Sequence, residues 1–182
     1  IPRGAAHDPS SLRGAHHFLE HLLFKSHTDS ERVSLVRSIE RKGGFVNADT
    51  DWFQTRVYVN LGLKYLSEGI SFLTLLAGKS PEFSPHALGI ERKVVFEEQS
   101  LYHDDPDSCV QYNIQEMLYL PPFAGTILGS SATVSKVTTA DVLEIWEQGY
   151  LTKDFVISAV GPTSMESLAE QFERALGKNV LN

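Results

Sequence analysis

Residues 17–21 read HFLEH, which places His17 and His21 four positions apart with Glu20 directly before the second histidine. On a helix, side chains at i and i+4 share one face, so both imidazoles can turn a ring nitrogen toward a single ion. A carboxylate just before the second histidine can reach a metal-activated water without being a ligand itself. This H-x-x-E-H order predicts a hydrolytic zinc centre on a helix over residues 16–25.

The apolar neighbours of the histidines leave another interpretation open. Phe18, Leu19 and Leu22 are typical of a buried helix, in which the histidines are simply hydrogen-bonded core groups. A third ligand elsewhere would favour the metal centre, because a catalytic zinc takes three protein ligands and leaves a fourth position for water. His16 is rotated by about 100° from His17 around a helix, so we expect it to pack or reach solvent rather than bind metal.

The best candidates for a third ligand lie on a predicted helix over residues 85–102. Ser84 is a good N-cap residue, and Pro85 suits the first helical position. Glu91 and Glu98 lie two turns apart and therefore project from one side of this helix. Acidic side chains on an apolar face are rarely buried unless they are paired or metal-bound. Both glutamates are therefore candidates to face the metal.

Three segments resemble those of a known family. Residues 14–25 read GAHHFLEHLLFK, residues 43–50 read GGFVNADT, and residues 91–98 read ERKVVFEE. They resemble the active-site helix, the G-G-x-x-N-A-x-T segment and the E-R-x-V-V-x-E-E helix of the pitrilysin/insulinase family of zinc peptidases, which are inverzincins. The resemblance extends from about Gly4 to the C-terminus.

The resemblance implies a zinc-dependent endopeptidase that holds one Zn²⁺ per chain. By the same resemblance, His17, His21 and Glu98 are the zinc ligands, and Glu20 is the general base that accepts a proton from a metal-activated water. Glu91 is implied to be a catalytic carboxylate near the ligating histidines. An equally open interpretation of Glu91 is a carboxylate in the first turn of its helix, favoured there by the helix dipole.

The resemblance also implies a substrate-binding place at Asn47 and Ala48, beside the scissile bond. In the family, an extended peptide pairs with an edge strand at this point. Such pairing uses main-chain hydrogen bonds and therefore accepts many peptide sequences. The alternative is an ordinary turn, since asparagine is common in turns.

The order of predicted elements favours an α+β fold with helices layered on one side of an antiparallel sheet, and the family fold is of that kind. We expect one zinc-peptidase domain over residues 1–182, which begins with a loop over residues 1–15 and lacks the strands that normally open family domains. The apolar run at residues 155–160 is typical of a buried central strand. Other strands are expected near 44–49 and 55–61, and helices near 31–42, 65–78 and 107–120. A further helix is expected to begin with a capping box at Thr138–Asp141, and a last helix to run from a cap at Thr163–Glu166 to about Leu176.

The composition of the chain argues against some classes of binding partner. The net charge of −7 argues against nucleic acid, and no apolar stretch is long enough to span a bilayer. We expect a soluble protein with no membrane partner, in the cytoplasm or an organelle matrix, although a single cysteine does not settle the compartment. Family enzymes enclose a peptide between related domains, so the resemblance implies a second domain or subunit, identical or related.

Two functional classes stay open: an active peptidase, and a non-catalytic or partner-dependent subunit of a processing or respiratory complex. The intact H-x-x-E-H motif together with Glu98 favours the peptidase, since a subunit that only assembles has no chemical need for these groups. A purely structural zinc is disfavoured, because such sites are closed by four ligands that usually include cysteines.

Overall fold

The computed structural model describes residues 1–25, 30–150 and 155–177. Its sheet contains the antiparallel strands β1 (Phe45–Thr50) and β2 (Thr55–Asn60), and short 3-10 helices lie at Ala5–His7, Ser10–Leu12 and Leu63–Tyr65. The α-helices are α1 (Ala15–Lys25), α2 (Ser30–Arg41), α3 (Leu66–Gly78), α4 (Pro85–Asp104), α5 (Pro106–Leu118), α6 (Ser131–Val134), α7 (Thr139–Tyr150) and α8 (Met165–Leu176). This arrangement confirms the predicted α+β class.

The two strands alternate between a buried and an exposed face. Thr50 lies opposite Thr55 and Val46 lies opposite Val59, and these side chains point toward the helices. Helices α1 and α2 pack against β1, and α3 packs against β2. The other face, which carries Tyr58, is open to solvent. The helices therefore form a layer on one side of the sheet, as predicted.

Helix α1 lies in the centre of the hydrophobic core. Its Phe18, Leu19 and Leu22 are buried together with residues of the neighbouring helices, including Val95 of α4 and Trp146 of α7. A helix that is buried over so much of its surface has little freedom to shift. The core therefore fixes the orientation of the polar face that carries the two histidines.

Local capping signals explain where the later helices begin. The Ser84 hydroxyl accepts a hydrogen bond of 3.0 Å from the Ala87 amide at the start of α4. The capping box at Thr138–Asp141 is present, as predicted. At α8 the cap is Ser164 rather than the predicted Thr163. No helix in the described ranges is both long and apolar enough to cross a bilayer.

The prediction of a buried central strand at residues 155–160 is wrong. This segment forms no strand, and the Val156 side chain is 85% exposed. An apolar run indicates a tendency to be buried, but a strand also needs a hydrogen-bonded neighbour. In the described part of the chain, β1 and β2 pair only with each other, so the segment is paired with neither strand.

The segment at residues 1–15, which was predicted as a loop, contains a cap for helix α1 that the sequence did not reveal. Both carboxylate oxygens of Asp8 accept hydrogen bonds from the first turn of α1 and the residue before it: Oδ2 from the Gly14 amide at 2.7 Å and Oδ1 from the His16 amide at 3.0 Å. Oδ1 also lies 2.6 Å from Nδ1 of the His16 ring. Asp8 thus caps α1 from outside the helix and turns His16 away from His17.

We predict that Asp8→Ala destabilises the protein by about 2–4 kcal/mol, because two amides and one imidazole lose their acceptor in a buried place. The measurement is chemical denaturation in the presence of a chelator, so that metal binding does not contribute. The exposed Asp104→Ala is the control and should change the free energy of unfolding by less than about 0.5 kcal/mol. Equal stabilities of the two variants would contradict the role of Asp8.

Candidate metal centre

Helix α1 brings the two histidines of the H-x-x-E-H motif together on one face. The rings of His17 and His21 are both buried, and their centroids lie 4.7 Å apart in an edge-to-face arrangement. The helix is formed from Ala15 to Lys25, so the spacing of four residues has the effect that the sequence predicted.

Helix α4 contributes Glu98 to the same place. Its Oε2 atom lies 3.6 Å from Nε2 of His17 and 3.4 Å from Nε2 of His21. One ligand atom from each of the three residues can be chosen so that all lie within 4.8 Å of one another. The histidine side chains are 8% exposed, whereas the Glu98 side chain is 32% exposed, so the cluster opens toward solvent on the glutamate side.

The three groups fit a catalytic zinc site both in the spacing of their donor atoms and in their chemical type. Ligand atoms around a tetrahedral zinc, with bonds of about 2.0–2.1 Å, lie roughly 3.4 Å apart. The two histidine-to-carboxylate separations of 3.4 and 3.6 Å are close to that value. Two imidazoles and one carboxylate are a known catalytic donor set and leave a fourth position open.

Glu91 lies on the other side of the second histidine. Its side chain is buried, and its Oε2 atom is 3.7 Å from Nδ1 of His21. Neither atom has a hydrogen-bond partner among the described residues, and a shift of a few tenths of an ångström would join them. The first turn of α4 contains no acidic residue, so the interpretation of Glu91 as a first-turn carboxylate is wrong. Its position matches that of carboxylates that orient a metal-binding histidine through the second ring nitrogen.

Glu20 is half-buried and is held by the sheet. Its Oε2 atom accepts a hydrogen bond of 2.6 Å from the Thr50 hydroxyl at the end of β1. Burial raises the pKa of Glu20 above its ordinary value, while the Thr50 hydrogen bond and the nearby His21 act in the opposite direction. A carboxyl group with a raised pKa beside a possible metal site is suited to exchanging protons near neutral pH.

Asn47 and Ala48 lie within β1, so the interpretation of this segment as a turn is wrong. The Asp51 amide donates to the Gln54 carbonyl at the hairpin. Hydrogen-bonded pairs alternate along an antiparallel ladder, so the Ala48 amide points away from β2. It donates instead to Oδ1 of Asn47 at 2.9 Å. The edge of β1 that carries Ala48 pairs with no other strand in the described ranges.

Sequence reasoning missed two residues that support this centre, Thr50 and Asp8. Thr50 belongs to the GGFVNADT segment, and strand alternation places it on the same face as Ala48, which was a usable signal. No local pattern marks Asp8, because its partners are six and eight residues away across an irregular segment.

Comparison with known proteins gives the class to which this fold and site belong. Residues 1–130 match the insulinase family, peptidase family M16, and the chain belongs to that family. A curated relative, an uncharacterized zinc protease YmxG from Bacillus subtilis, is 30% identical over 181 residues, which cover 97% of this chain and 43% of the relative. A probable mitochondrial-processing peptidase subunit beta from Schizosaccharomyces pombe is 28% identical and covers 97% of this chain and 39% of its own length.

Solved structures agree on the fold. A protease from Helicobacter pylori superposes with a TM-score of 0.85 at 22% identity, covering 100% of this chain and 44% of its own. Pitrilysin superposes with a TM-score of 0.77 at 21% identity, covering 100% of this chain and 20% of its own. The chain therefore spans less than half the length of these relatives.

Proposed function

We propose that this chain, as one domain over residues 1–182, carries the zinc-dependent endopeptidase centre of its protein. His17, His21 and Glu98 are the zinc ligands, and Glu20 is the general base. The observation that carries the proposal is the meeting of three donor atoms from two helices within 4.8 Å, in a family whose relatives include proteins named zinc proteases. The open glutamate side of the cluster supports a catalytic rather than a closed structural site.

The chemistry divides between the metal and the chain. When bound, zinc polarises the scissile carbonyl and makes water a stronger nucleophile near neutral pH. Glu20 accepts a proton from the attacking water through the carboxylate oxygen that Thr50 does not hold, and later delivers it to the leaving amine. The role we assign to Glu91 is to restrain the His21 ring, once a small shift closes the 3.7 Å between its Oε2 atom and Nδ1 of His21.

The substrate in this proposal is an extended peptide that adds to the free edge of β1. The Ala48 amide faces this edge, and its present acceptor is only the neighbouring Asn47 side chain, which a peptide carbonyl can replace. Main-chain pairing of this kind holds a peptide in extended form and leaves sequence preference to side-chain pockets.

A partner-dependent form of the same function is the second candidate. The chain spans less than half of its curated relatives, and one of them is named as a subunit beta. A second related domain or subunit, in the same protein or in a complex, would then complete the peptide-binding chamber. Zinc binding by this chain without peptide cleavage, and cleavage once the partner is present, would support this version.

We predict that the protein binds one zinc per chain and that Glu98→Gln weakens the affinity by at least ~100-fold, because a neutral amide replaces an anionic ligand. Glu97→Gln is the matched control, since Glu97 is the neighbouring exposed glutamate on the same helix and should keep wild-type affinity. The measurement is competition with a zinc-chelating dye. Equal affinities for the two variants would remove Glu98 from the ligand set.

We further predict that Glu20→Gln keeps stoichiometric zinc but lowers the kcat for a quenched peptide by at least ~1000-fold, since general acid–base catalysis contributes about 10²–10⁴. His21→Ala should lose both zinc and activity. The assay uses the protein with any copurifying partner and includes a chelator arm. Turnover retained in Glu20→Gln would exclude Glu20 as the base.

A further inference from the structure

We propose that Thr50 is a positioning residue for Glu20: its hydroxyl fixes the carboxylate so that only the other oxygen is available to exchange a proton. This inference rests on the proposed function for its catalytic meaning, whereas the hydrogen bond itself can be tested without metal. Thr50 has no part in the ligand set and lies on a different element from the histidines.

The Thr50 hydroxyl donates its hydrogen bond to Glu20. The distance from Oγ1 to Oε2 of Glu20 is 2.6 Å, which is typical of a strong hydrogen bond to a charged oxygen. Thr50 is only 6% exposed, so water does not compete for its hydroxyl. The second hydroxyl nearby, Oγ1 of Thr55 at 3.5 Å, donates its own proton to the Arg3 carbonyl at 3.0 Å. The hydroxyl proton of Thr50 is therefore available to donate to the Glu20 carboxylate.

Glu20 needs such a restraint, because its side chain has several rotatable bonds. In the described part of the chain, the Thr50 hydroxyl is the group that hydrogen-bonds to this carboxylate. A base that can swing away from the reacting water loses much of its effect, and a misplacement of 1 Å can cost about 100-fold in rate.

The bond also links two parts of the site that lie on different elements. Thr50 is two residues from Ala48 and on the same face of β1, whereas Glu20 belongs to α1. A peptide that pairs with the edge of β1 is thereby held in a fixed relation to the base. Loss of the Thr50 hydroxyl should therefore lower kcat much more than it raises KM.

The kinetic test compares Thr50→Val, which removes the hydroxyl and keeps the shape, with Thr50→Ser, which keeps the hydroxyl. We expect Thr50→Val to lower kcat by about 10–100-fold with KM within about threefold and zinc content unchanged, and Thr50→Ser to recover most of the rate. Thr74→Val is the control, because Thr74 is a buried threonine whose hydroxyl bonds to the Ile70 carbonyl in α3. It should keep wild-type kcat.

A second test needs neither zinc nor activity. In chelated protein, Thr50→Val should lower the midpoint of thermal unfolding by about 3–6 °C, since a buried hydrogen bond to a charged group is lost. In a Glu20→Met background, which has no acceptor, the same substitution should have almost no effect. An equal loss in both backgrounds would show that the hydroxyl does not serve Glu20 and would overturn the proposal.

The two tests separate the positioning role from the proposed function. Wild-type kcat in Thr50→Val, with Glu20→Gln inactive, would overturn the positioning role and leave the peptidase proposal intact. Absence of hydrolysis in the wild-type protein with its partner would instead contradict the peptidase proposal, and the unfolding comparison would still decide whether Thr50 holds Glu20.

Discussion

The packing of α4 across α1 is the constraint on which the candidate centre depends. Helix α1 carries the imidazoles of His17 and His21, and its contact with α4 places the Glu98 carboxylate beside them. Phe18 and Val95 are fully buried in the shared core, and the guanidinium of Arg92 lies 5.7 Å from the Phe18 ring centroid. Arg92 also donates to the Val137 carbonyl at 2.7 Å, which ties α4 to the segment before α7. The apolar contacts thereby set the distance between the candidate ligand atoms.

The polar side of this contact brings buried groups to face one another, and among the described residues Nδ1 of His21 and Oε2 of Glu91 have no hydrogen-bond partner. A buried polar group without a partner costs about 1–3 kcal/mol. Here the two ring nitrogens of His21 face different carboxylates, Glu98 at 3.4 Å and Glu91 at 3.7 Å. The sheet adds a third support, because Thr50 holds Glu20 from β1. The centre is thus assembled from α1, α4 and β1, and no single element contains it.

The parts of this arrangement that the sequence predicted are those with local spacing. The i, i+4 pair of His17 and His21, the helix that carries Glu98, and both strands to within one residue at either end all follow from periodicity and capping. The segment at 155–160 was wrongly predicted, because an apolar run does not reveal whether a strand pairs with it. Asp8 and Thr50 were missed because their hydrogen bonds join different elements. The roles of the site residues stay predictions, since spacing and geometry alone do not show turnover.

The most direct test of the central claim is X-ray absorption spectroscopy of the zinc-loaded protein. If α1 and α4 together form the site, the spectrum should show two imidazole ligands and oxygen donors at about 2.0–2.2 Å, without sulfur. Glu98→Gln should alter the oxygen shell and keep both imidazoles. A single imidazole, or a sulfur ligand at about 2.3 Å, would contradict a centre built from His17, His21 and Glu98.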